Sequence, residues 1–63
     1  MQDELLTPAQ AARLLNVPES TLKHWRYVGG GPAYIRMGRL PRYDPRDLQR
    51  FKDAQRVEAA RGA

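Results

Sequence analysis

The chain predicts a mainly α fold with a small β-hairpin: two helices joined by a tight turn, a two-stranded ribbon, and a closing helix. Three observations carry that expectation. Apolar residues recur at helical spacing up to Val28, the spacing then changes to alternation over residues 33–43, and a fresh helix-start signal follows at Asp44-Pro45. All of it fits in 63 residues, so the whole chain, 1–63, is expected to form a single domain.

Thr7-Pro8-Ala9-Gln10 reads as a helix start. Threonine suits the N-cap, proline suits the first helical position, and Gln10 can return a capping-box bond. Ala11, Ala12 and Leu15 share one face, with Leu14 beside them, and Asn16-Val17-Pro18 ends the helix, giving a span of 8–15. A second helix is predicted over 19–28 with Leu22, Trp25 and Val28 as its apolar stripe, stopped by Gly29-Gly30-Gly31-Pro32. Met37-Gly38-Arg39 then supplies a hairpin turn within residues 33–43. With that turn, Ile35, Pro41 and Tyr43 face inward, and Arg36 and Arg42 face outward. Asp44 caps the third helix and Pro45 opens it; Leu48 and Phe51 supply its apolar face, and its expected span is 45–58. Trp25, Tyr43 and Phe51 read as core aromatics.

Composition narrows the function. There is no cysteine and a single histidine, so disulfides and thiolate metal sites are excluded, and neither a metal nor a cofactor is expected. A chain this short leaves little scaffold for a catalytic pocket, so no enzyme is expected. No apolar run approaches the roughly 20 residues of a membrane span, and no signal segment is evident, which predicts a cytoplasmic protein with no membrane partner. The net charge is +4 and the pI about 10.1. Residues 1–22, with Arg13 against Asp3, Glu4 and Glu19, carry −2. Residues 23–50, with Lys23, Arg26, Arg36, Arg39, Arg42, Arg46 and Arg50 against Asp44 and Asp47, carry +5. A positive block in the middle of so small a domain points to a polyanionic partner, against the plainer reading of solvated basic surface.

Two stretches, LLTPAQAARLLNVPESTLKHWRYVG and YIRMGRLPRYDPRDLQRF, carry a resemblance over Leu5 to Phe51. The small residue Ala12, the turn Leu14-Leu15-Asn16-Val17 and the run Ser20-Thr21-Leu22-Lys23-His24-Trp25 form its first part. Gly38-Arg39, Arg42-Tyr43 and Asp44 complete it, whereas Pro18 and Pro41 depart from the pattern. As a set these resemble the excisionase (recombination directionality factor) branch of the MerR-like superfamily, whose fold is a winged helix-turn-helix. The resemblance implies a double-stranded DNA-binding and bending accessory factor, of phage or integrative-element type, that assists an integrase in site-specific excision. It further implies a bacterial host and head-to-tail self-association on DNA, with Leu40 and residues 56–63 as candidate contact surfaces. A small transcriptional regulator of MerR or AlpA type is the alternative, though the dimerisation helix and effector domain of full MerR regulators are not expected after Phe51. A protein-interaction adaptor is a further alternative.

In such a domain the second helix enters the major groove. With Leu22 and Trp25 turned inward, Ser20, Lys23, His24 and Tyr27 fall on its outer face. Lys23 and His24 are the candidate base readers. Thr21 is expected to meet a phosphate through its hydroxyl and adjacent free amides. Arg26, Arg36 and Arg42 are expected phosphate clamps, and the resemblance puts the Gly38-Arg39 tip in the adjacent minor groove. Arg13, Arg46 and Arg50 read as solvated helix faces.

Overall fold

Each helix begins and ends on a residue suited to the task. The computed structural model describes residues 4–57. α1 spans Pro8–Leu15 behind the Thr7 cap, whose hydroxyl accepts from the Gln10 amide while the Gln10 side chain accepts from the Thr7 amide. It stops at Asn16, which takes the left-handed conformation (φ 59°) that asparagine tolerates, and the Val17 amide returns to the Ala12 carbonyl at 3.0 Å. α2 spans Glu19–Val28, with Pro18 as N-cap and Gly29 (φ 87°) as C-cap. α3 spans Pro45–Ala54, and the Asp44 carboxylate accepts from the Arg46 amide at 2.8 Å.

α3 is shorter than the expected 45–58. It ends in a cap at Gln55, whose amide reaches the Phe51 and Lys52 carbonyls. Past Phe51 every described side chain is exposed, so a longer helix would gain no burial to offset its ordering. Residue 58 lies outside the described residues.

The core is small. Ala11, Ala12, Leu22, Tyr43 and Leu48 are buried, with Leu6, Leu15, Val17, Trp25 and Tyr34 packed against them. Two alanines on α1 let both other helices approach closely. Trp25 is half-buried, its ring 5.4 Å from that of Phe51, which is also half-buried. Val28, expected in the α2 stripe, is 58% exposed instead. The inward face runs through Leu22, Trp25 and Arg26, at i, i+3 and i+4, so the last turn of α2 shows Val28 to solvent.

β1 spans Ile35–Met37 and β2 spans Leu40–Arg42, antiparallel, with Met37 opposite Leu40, Arg36 opposite Pro41 and Ile35 opposite Arg42. The turn therefore has two residues, Gly38 and Arg39, with Gly38 at φ 65°, the glycine-first pattern of a type II′ hairpin. The expected turn was one residue longer, and that single residue reverses the faces of β1. Ile35, Met37, Leu40 and Arg42 share the outer face; Arg36 lies on the inner face with Pro41, on the side where Tyr43 is buried. The inward placement of Ile35 and the outward placement of Arg36 are thus corrected. Pairing alternates along the ladder, so Pro41 falls at the position whose missing N–H would point away from β1. One step further, at Tyr43, that same edge is used: Leu6 exchanges two backbone bonds with Tyr43, at 2.7 and 2.9 Å. Three helices and this hairpin make a winged helix-turn-helix.

Candidate nucleic-acid interface

Ser20, Lys23, His24 and Tyr27 recur at i, i+3, i+4 and i+7, and all four are exposed on the outer face of α2. Tyr27 is 88% exposed, so it does not pack on the wing. Thr21 sits half-buried on the flank. Its amide bonds the Pro18 carbonyl at 3.0 Å, as does that of Leu22 at 3.4 Å. Thr21 can therefore offer a phosphate its hydroxyl but not its own amide. Because the N-cap is a proline, this helix start has no side-chain cap bond.

Between α2 and the wing lies an open cavity of about 310 Å³, lined by Lys23, Arg26, Tyr27, Tyr34, Arg36, Arg39 and Pro41. Four cations thus converge on one groove, two from the helix and two from the hairpin. Arg26 is half-buried on its inner wall, and its guanidinium donates to the Tyr43 hydroxyl at 3.0 Å. The same guanidinium lies over the Tyr34 ring, 6.0 Å from its centroid, at the outer limit of a cation–π contact. Arg36 reaches the Tyr34 hydroxyl at 3.5 Å. One aromatic pair, Tyr34 and Tyr43, with centroids 6.0 Å apart, therefore orients both arginines.

Arg42 is not part of this groove. It stands on the outer face of the wing, half-buried, and its guanidinium donates to the Pro41 carbonyl at 2.7 Å. Arg39, at the turn, joins the groove from the tip. Tyr34 is the groove residue that the sequence reading missed, because its role follows from the two-residue turn. Ser20 and His24 lie on the exposed helix face beyond the groove lining.

The acids stand elsewhere. Asp44 pairs with Arg46 at 2.8 Å, Asp47 with Arg50 at 2.6 Å and Asp53 with Arg56 at 3.0 Å. Hydrogen bonds from the Arg46 side chain and then its amide lower the Asp44 pKa from 3.8 to about 2. Bonds from Arg56 and Gln49 lower that of Asp53. Among the described residues no group of His, Asp or Glu is placed to hold a metal ion, and no helix is long and apolar enough to cross a membrane.

These features define a helix-turn-helix protein with a wing. The model of the family described as a helix-turn-helix domain matches residues 5–56, and the chain belongs to that family. Neither the curated proteins nor the solved structures searched contain a match. The membership and the fold support sequence-specific binding of double-stranded DNA.

Proposed function

We propose that the protein is an excisionase-type accessory factor, which binds and bends attachment-site DNA so that an integrase can carry out excision. The observation that supports this reading is the cationic groove between α2 and the wing. A duplex strand lying in it would place its phosphates against Lys23, Arg26, Arg36 and Arg39. The exposed face of α2 would then read the major groove through Lys23 and His24, with Ser20 and Tyr27 alongside, and Arg39 would enter the neighbouring minor groove. The Thr21 hydroxyl would meet a phosphate at the start of α2. The resemblance of the motif set to that of excisionases supports the accessory role, in which the protein contributes binding and DNA shape while the integrase performs the chemistry.

The test is an in vitro recombination assay. It uses the purified protein, the integrase encoded nearest to it, and a plasmid carrying the two junction sites of the integrated element. Excision that depends on the protein is the expected result. Excision at the same rate without it, together with altered transcription from a promoter holding its binding site, would make it a regulator instead.

A further inference from the structure

The hairpin face that turns away from α2 is apolar and exposed towards its tip, with Arg42 at its base. Ile35, Met37 and Leu40 are 36%, 52% and 54% exposed. Met37 and Leu40 are direct cross-strand partners in the last pair before the turn, so their side chains stand together at the tip. Gly38 and Arg39 join them, and Gly38 at φ 65° keeps that tip to two residues.

We propose that Met37 and Leu40 form a wedge that enters the minor groove beside Arg39 and partly unstacks one base step, kinking the duplex. This rests on the DNA-binding reading above and adds the device that would do the bending. The occupant of such a tip must offer apolar faces and negative charge within a few ångströms of each other, since Arg39 lies in the turn between the two apolar residues and Arg42 shares their face. A base step opened between two phosphates offers both, and apolar side chains inserted this way kink DNA by about 20–90°. A second copy of this chain fits less well. Each copy carries +4, and the three aspartates of the α3 region already pair with Arg46, Arg50 and Arg56.

The experiment uses a duplex that the wild-type protein selects from a random pool. Bending is read by end-to-end fluorescence transfer, and unstacking by 2-aminopurine placed at successive steps. The double variant M37T/L40T keeps both residues β-compatible and removes no charge. It is expected to lose at least half of the bend and the local 2-aminopurine rise, with an unchanged dependence of binding on salt. M37L/L40M, which keeps the apolar pair, is expected to retain both signals. A wild-type bend in M37T/L40T, or bound but straight DNA with the wild-type protein, would overturn the wedge and leave DNA binding standing. So would a DNA-free wild-type dimer that M37T/L40T converts to monomer, which would make this face a contact between copies. Failure to select any duplex would overturn the DNA-binding reading itself, and the wedge with it.

Discussion

Replacing Tyr43 with Phe removes one oxygen from the buried layer behind Arg26 and little else. The ring can keep its place against Tyr34, and the backbone bridge to Leu6 does not depend on the hydroxyl. What is lost is the 3.0 Å bond from Arg26. Hydrogen bonds to charged groups contribute about 1.5–3 kcal/mol, but Arg26 is half-buried and water can take up its freed donor. The expected loss is therefore about 1 kcal/mol, a melting temperature lower by roughly 4–8 °C in a domain of this size. Binding should suffer separately. A guanidinium no longer held on the groove wall must be ordered by the DNA, at about 0.5–1.5 kcal/mol for a long side chain, or roughly two- to tenfold in affinity. The charge remains, so the slope of log K against log salt should not change. Arg26→Ala, by contrast, should flatten that slope by about 0.9. It also leaves a buried hydroxyl without its partner, a cost of about 1–3 kcal/mol that adding Tyr43→Phe should relieve. Thermal melts and anisotropy titrations at several salt concentrations measure all of this. If Tyr43→Phe binds DNA as the wild type does at every salt concentration, the bond is structural only and does not position Arg26.

Specificity and affinity should separate across the groove. Lys23→Ala or His24→Ala should relax base preference at one or two positions by roughly 1–3 kcal/mol, whereas Arg36→Ala should weaken binding to every sequence alike, as competition with a library of site variants will show. Gly31→Ala should destabilise the fold by at least about 2 kcal/mol, because φ is +78° and the new Cβ would lie 2.8 Å from the Trp25 Cβ. Gly30→Ala, next to it, meets open space and should melt within a few degrees of wild type. Acid should weaken the fold in a definite window. Asp44 stays ionised in the folded state down to about pH 2 but protonates near 3.8 when unfolded, so its contribution is complete above about pH 4 and is lost as pH falls towards 2. Asp44→Asn, which still caps the helix, should shrink the drop in melting temperature between pH 5 and pH 2.

The helices were legible because their signals are local. Thr7-Pro8, Gly29 and Asp44-Pro45 mark ends within one turn of themselves, and α1 and α2 have the spans predicted from them. The wing faces were not legible to the same degree. Met37-Gly38-Arg39 accommodates a turn of two residues or three, and the choice decides whether Ile35 or Arg36 faces the helix. That choice is made by long-range contacts, the Leu6 bridge and the burial of Tyr43, which no pattern inside the hairpin announces. The candidate site divides along the same line. Ser20, Lys23, His24 and Tyr27 follow from helical periodicity alone, while the placing of Arg36 and Tyr34 on the groove side and of Arg42 on the other face required the register. The end of α3 was overextended because helix propensity continues past Ala54 although the burial that sustains a helix does not. The proposed contact surface at residues 56–63 falls mostly outside the described residues; within them, Arg56 is paired with Asp53 and Val57 is exposed.

We infer that the cations of α2 and the wing form one surface for the DNA backbone. The most direct measurement is the affinity for a selected duplex between about 50 and 300 mM salt. Lys23, Arg26, Arg36 and Arg39, four cations brought into the counterion atmosphere of the duplex at its phosphates or in its grooves, predict that log K falls with log salt at a slope of about −3.6. Arg39→Ala should reduce that slope by about 0.9 and Arg42→Ala should leave it unchanged. A slope near zero, or one that Arg42→Ala lowers and Arg39→Ala does not, would contradict the groove as the DNA-binding surface.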